Sequence, residues 1–385
     1  MLSKVQSNRM TSPWPRVSRS GRWIGVAAII AAQALFVSCK DDSGGSNDDS
    51  SPVDVIIDES GDGLGQTLAF PLRMIVDPMT GNIIVSGYSS DNVFKITPLG
   101  EITEIIDVTG DPGELNRDCE RASDLAVDVD GNVFVACQFS NNIFKITPLG
   151  VITEIIQGPE DETPCSICNV NGIAVDAEGN LFLAATASDA VFKVTPLGVI
   201  TEIIGADGDG AGKLLAKPRS VAVAANGNVY VAGEETDNVF EITSGGVVNE
   251  ILAATGDGLN TLDAPHEVVV GPDGNVYVAG RGSNNVFQVT SGGVITEITG
   301  RMSDAAALVI DSPTHLAIGA RKILYVTARE DDVYQIGPGE PVKRIIDGDG
   351  LRGSISVASD LAVDANDNLY LPGGGSDNAV QFLAP

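Results

Sequence analysis

From Leu125 to Ile156 the chain reads LAVDVDGNVFVACQFSNNIFKITPLGVITEII, and its apolar positions fall into four short runs. LAVD is an apolar strand, and DVDGN is a tight turn whose glycine takes positive φ without steric cost. VFVA is continuously apolar, with β-branched and aromatic residues, the pattern of a strand buried on both faces. The polar turn FSNN leads into NIFKIT, where Phe144 and Ile146 point one way and Lys145 the other. The turn TPLG then opens an outer strand, VITEII.

The same pattern recurs along the chain. Its Gly-Asn turn stands at Gly81-Asn82, Gly131-Asn132, Gly179-Asn180, Gly227-Asn228 and Gly274-Asn275, with degraded copies at Lys322-Ile323 and Asp367-Asn368. The steps are 50, 48, 48, 47, 48 and 45 residues. A four-stranded unit with that period predicts an all-β fold, a seven-bladed β-propeller of four-stranded blades. Aromatics recur once in the second strand (Phe134, Phe182, Tyr230, Tyr277, Tyr325, Tyr370) and once in the third (Phe94, Phe144, Phe192, Phe240, Phe287, Tyr334). Such regular aromatics are expected as core filler.

The seventh copy stops without an outer strand. At the other end Val53 to Asp58 (VDVIID) aligns with Ile102 to Asp107 (ITEIID). The N-terminal strand is therefore expected to complete the C-terminal blade, closing the ring and removing an open sheet edge. One propeller, expected as a monomer, accounts for residues 53–385.

Residues 1–22 carry Lys4, Arg9, Arg16, Arg19 and Arg22 and no acid, and IGVAAIIAAQALFV follows at Ile24 to Val37. A basic segment, a short apolar segment and a small residue make an export signal over residues 1–38. Either Met1 or Met10 serves as its start. Phe36-Val37-Ser38-Cys39 resembles the lipobox of bacterial lipoproteins, which implies lipidation at Cys39. Residues 39–52, rich in Ser, Gly and Asp, then read as a flexible acidic tether. These readings place the protein in the bacterial cell envelope, held to a membrane only through its lipid and facing the periplasm or the cell surface.

Losing the leader leaves 18 basic residues against 52 acidic ones, a net charge near −34. That field excludes nucleic acid as a partner and favours cations or cationic partners. Cys119, Cys137, Cys165 and Cys168 are an even, local set outside the cytoplasm, which argues for two disulfides with three possible connectivities. Cys165-x-x-Cys168 alternatively suits a redox or zinc half-site.

The channel mouth, where the first strands begin, is where the repeat breaks down. Successive blades offer Arg73, Asp124, Gly172, Ser220, Glu267, His315 and Asp360, preceded by Leu72, Ser123, Asn171, Arg219, His266, Thr314 and Ser359. Mostly polar positions that vary from blade to blade are expected to face a ligand. Arg73, Asp124, Asn171, Arg219, Ser220, His266, Glu267, His315 and Asp360 are therefore the candidate binding residues, for a protein or a small molecule. The chain has two histidines, and both fall here with Glu267 beside one. His266, Glu267 and His315 are the candidates for acid–base work or for a divalent cation, magnesium or calcium.

The loops SGDGLGQTLAFP (60–71), DGDGAGKLLAKP (207–218) and TGDGLNTLDAP (255–265), each leading into an apolar strand, resemble the NHL repeat. That resemblance implies the propeller fold and no particular activity. One or two aspartates per loop fall short of a calcium site, and turn chemistry accounts for them better. Pro265-His266 with Gly-Gly-Val-Ile-Thr-Glu at 292–297 resembles the virginiamycin B lyases, which implies His266 as a base working with magnesium. The chain departs from that pattern at Gly280, where those enzymes place a glutamate, and it has no tryptophan beyond the leader. The reading is a binding module, with a metal-assisted lyase or hydrolase, of that type or gluconolactonase-like, as the alternative.

Overall fold

In the computed structural model, residues 53–109, 118–158, 165–299, 310–347, 355–356 and 358–383 are described. The expected leader, lipidation site at Cys39 and tether lie outside these residues. The described strands form seven antiparallel four-stranded sheets, six of them in sequence order and the seventh with the N-terminal strand at its outer edge. In the last sheet the strand Val53–Ile57 pairs with Asn378–Phe382, and Val55 lies opposite Val380. The N-terminal strand thus closes the ring, as the sequence predicted.

Each second strand is buried along its whole length, because both of its faces meet neighbouring blades. The core is a set of inter-blade clusters rather than one centre. Ile84, Val93 and Ile106 of blade 1, for example, pack with Leu125, Val135 and Phe144 of blade 2. The twelve repeated aromatics are all buried, none more than 8 % exposed, which is the filler role their spacing implied. The aspartates of the Gly-Asp-Gly loops serve turns. Asp62 accepts from the N–H groups of Leu64 and Gln66, and Asp209 from those of Ala211 and Lys213.

Side-chain latches tie each blade to the next on the channel-mouth face. Asp91, Asn141, Asp189, Asp237, Asn284, Asp331 and Asp377 each accept a hydrogen bond of 2.7–2.8 Å from a backbone N–H of the following blade. All seven acceptors have positive φ, a conformation that Asn and Asp tolerate better than other side chains.

The cysteines pair locally, Cys119 with Cys137 and Cys165 with Cys168. Of the three connectivities left open, this one keeps each bridge beside a single blade.

Candidate functional site at the channel mouth

In blades 1 to 5 the first strand starts three residues earlier than its apolar pattern suggests. The pairing register shifts between Pro71 and Arg73, Ala122 and Asp124, Val170 and Gly172, Pro218 and Ser220, and Pro265 and Glu267. A β-bulge therefore sits at the same place in blades 1 to 5, with Leu72, Ser123, Asn171, Arg219 and His266 as the extra residues. Bulges re-aim side chains and concentrate beside binding sites. The candidate residues of blades 1 to 5 thus lie inside the strands, whereas His315 opens its strand and Asp360 precedes its own.

Arg73 occupies the centre. Its guanidinium lies 3.2 Å from both Asp124 and Asp360 and 3.9 Å from Glu267. These three acids come from blades 2, 7 and 5, so the contacts cross the channel. Three acids against one arginine leave excess negative charge in a buried place. Burial alone would depress the Arg73 pKa, but the attraction of Asp124, Asp360 and Glu267 outweighs it and holds the guanidinium firmly charged. Burial pushes Asp124 up to about 6 against the pull of Arg73. Burial, with Asp360 adding repulsion, pushes Glu267 up to about 8 although Arg73 opposes it. Asp360 is raised by burial as well. Near neutral pH the cluster therefore retains a proton, held chiefly on Glu267.

The same ring also latches blades. Asp124 accepts from Ile173 N–H at 2.6 Å, Ser220 from Val268 N–H at 3.2 Å, Glu267 from Leu316 N–H at 2.7 Å and Asp360 from Met74 N–H at 2.9 Å. Each bond joins a ring side chain to the next blade one residue past its own ring position. Gly172 has a steric reason: a Cβ there would lie 2.7 Å from the Arg219 carbonyl oxygen. Much of the variety that suggested a ligand-facing ring is thus a set of different answers to one structural demand.

The two imidazoles meet edge to face, with centroids 5.2 Å apart at 88°. His266 Nδ1 is 2.8 Å from the Thr314 carbonyl oxygen, and only a protonated nitrogen can donate there. Burial lowers both histidine pKa values well below the usual 6.5, and Arg219 and Arg73 push His266 further down. Both rings are neutral at physiological pH.

Among the described residues, the ligand-atom set close enough to hold a metal is Glu267, His315 and Asp360, within 4.8 Å of one another, and it does not contain His266. A divalent cation fits poorly there. Arg73 already supplies positive charge at 3.2 Å from Asp360 and 3.9 Å from Glu267. At about 4 Å and an effective dielectric of about 20, each pair of like unit charges costs roughly 4 kcal/mol.

Arg219 and Asn171 stand further from the centre. Asn171 Nδ2 donates to Thr186 Oγ1 at 2.7 Å, and its Oδ1 accepts from Gln138 Nε2 at 2.6 Å. Gln138 in turn accepts from the Tyr88 hydroxyl at 3.1 Å. Arg121 lies over the Tyr88 and Phe139 rings at 5.5 and 5.0 Å. Arg219 shares Glu234 with Arg281, at 3.6 and 4.0 Å.

Tyr88, Gln138, Thr186, Glu234 and Arg281 occupy one position, the residue after the second strand. They form a second variable set that the first-strand positions alone do not reveal; its signal in the sequence is five different residues at one repeat position.

No family model matches the chain, and no curated protein matches it. Solved structures match it in fold. Virginiamycin B lyase from Staphylococcus aureus aligns over 86% of this chain and 99% of its own, at TM-score 0.64 and 15% identity. A catalytically inactive variant of that enzyme, with quinupristin, aligns at TM-score 0.65 and 16% identity, again over 86% and 99%. YCF48 bound to D1 peptide aligns at TM-score 0.60 and 11% identity, covering 88% of this chain and 97% of that one. At these identities the likeness is one of fold, a seven-bladed propeller shared by an enzyme and a peptide binder.

Proposed function

We propose that the protein is a lipid-anchored component of the bacterial cell envelope whose propeller binds a small molecule or a protein at its channel mouth. The single observation that carries this reading is that an arginine already occupies the centre of the channel acids. Arg73 stands among Asp124, Asp360 and Glu267, where metal-assisted chemistry would need a cation. The acidic balance of the chain argues against a nucleic-acid partner, and the closed ring suits a monomer. The signal at residues 1–38 and Cys39 support the envelope location.

A second reading, a metal-assisted lyase or hydrolase, has one observation in its favour: the convergence of Glu267, His315 and Asp360. It requires Arg73 to withdraw. One experiment separates the two. The purified protein is melted in EDTA and then in excess magnesium, calcium or zinc. An unchanged curve is expected. A metal at about one hundred times its dissociation constant would add roughly 2.7 kcal/mol. Stabilisation of that size, lost in His315→Ala, would transfer the proposal to metal chemistry.

A further inference from the structure

The chain is strongly acidic, yet one sector of its channel mouth gathers positive charge. Arg219 is the bulge residue of blade 4, Arg281 opens the turn after the second strand of blade 5, and Glu234 opens the same turn in blade 4. Glu234 faces both arginines, but at 3.6 and 4.0 Å its contacts lie beyond hydrogen-bond range. Two guanidinium groups against one carboxylate leave a net positive charge.

Arg219 is also incompletely satisfied. Its Nε is buried and has no partner among the described residues, while its side chain as a whole is 32% exposed. A buried N–H without an acceptor costs free energy that a bound oxyanion would recover. Arg281 stands 49% exposed beside it.

We propose that Arg219 and Arg281 receive a carboxylate of the ligand at the channel mouth, with Glu234 holding the two side chains in place of that carboxylate when the site is empty. This inference rests on the channel-face reading above and names the ligand chemistry. A guanidinium presents parallel N–H donors that match a carboxylate, and two of them bind it more tightly than one. The overall negative field repels anions at long range, so affinity depends on this local pair.

The chain provides its own reporter. His266 and His315 are its only histidines, and His266 feels the charge of both Arg219 and Arg281. The experiment is an NMR titration of the imidazole resonances with glutarate at constant ionic strength, on protein purified without a histidine tag. A saturating shift of His266 is expected. Binding should weaken at least tenfold in Arg219→Gln and in Arg281→Gln. Arg281 lies in an exposed turn, so its variant serves should Arg219→Gln fail to fold. Glu234→Gln should bind several-fold more tightly, because a competing carboxylate is gone.

A shift that never saturates, or that sodium chloride reproduces at equal ionic strength, overturns the carboxylate site. So does a saturating shift untouched by both arginine substitutions. Either result would leave the channel-face reading to be judged by the melting experiment alone.

Discussion

The carboxylate of Asp377 accepts a 2.7 Å hydrogen bond from the backbone N–H of Phe70, 307 positions away in the chain, and so ties the last blade to the first. It is the ring-closing member of seven equivalent latches. Asp377 has φ of 51°, and Phe70 has φ of 47°. Both the bond and the backbone conformation therefore select the residue. Asp377→Asn keeps both and should be nearly silent, since Asn141 and Asn284 serve the same role elsewhere. Asp377→Gly should lose about 1 kcal/mol, the bond alone. Asp377→Ala should lose about 2 kcal/mol or more, because a left-handed alanine adds its own cost. Urea denaturation of the three variants checks the order, and an alanine variant no worse than the glycine one would remove the conformational half of the account.

The protonated state of Glu267 predicts an unusual pH dependence. Its carboxyl is raised from 4.5 to about 8 in the folded protein, so the folded state holds a proton that the unfolded chain releases. Stability from this group is fully present below about pH 4.5 and is lost as pH rises through about 8. Glu267→Gln still offers Leu316 N–H an oxygen and leaves Asp124 and Asp360 to Arg73. Relative to wild type, the variant should gain roughly 2 kcal/mol between pH 6 and pH 8 and almost nothing further above pH 9. Asp124, raised to about 6, contributes mainly below that window. A flat difference across pH 6 to 8 in urea titrations would show that Glu267 ionises normally.

The blade count, the aromatic core and the closing strand were all legible in the sequence, because each follows from a local pattern repeated seven times. Val53 to Asp58 could be assigned to the last blade since it matches the outer-strand pattern of its neighbours. The cluster at Arg73 was legible only in part. Its residues were found as positions that do not repeat, but a linear reading cannot show that Arg73 reaches acids from blades 2, 5 and 7. Nor could it separate latching from ligand-facing roles, because Asp124, Ser220, Glu267 and Asp360 spend an oxygen on the next blade. The histidines were expected to join Glu267 in one trio. The bulge at His266 instead sets its ring against His315 and leaves Asp360 as the third nearby ligand atom.

The two disulfides should contribute unequally. Cys119–Cys137 closes a separation of 18 residues and both cysteines are fully buried, whereas Cys165–Cys168 closes one of three. Loop entropy assigns about 3 kcal/mol to the first and at most about 2 kcal/mol to the second. Replacing Cys119 and Cys137 with alanine should lower the melting temperature clearly more than replacing Cys165 and Cys168. The reverse order would mean that the short bridge supports more of blade 3 than its span suggests.

Strand Val53–Ile57 covers the edge of Asn378–Phe382, and Ile57 packs in the cluster that joins blades 7 and 1. A chain beginning at Glu59 would expose that edge, with its backbone donors and acceptors unpaired. It should melt lower than the longer chain and elute from a sizing column as dimers or larger species, by edge-to-edge pairing. A synthetic peptide of sequence SPVDVIIDE should restore both the monomer and the melting temperature, because an extended segment can add to an open sheet edge from a separate molecule. A scrambled peptide of the same composition should do neither. If the shortened chain stays monomeric and melts unchanged, the outer strand of blade 7 is dispensable, and the latch from Asp377 to Phe70 holds the ring closed without it.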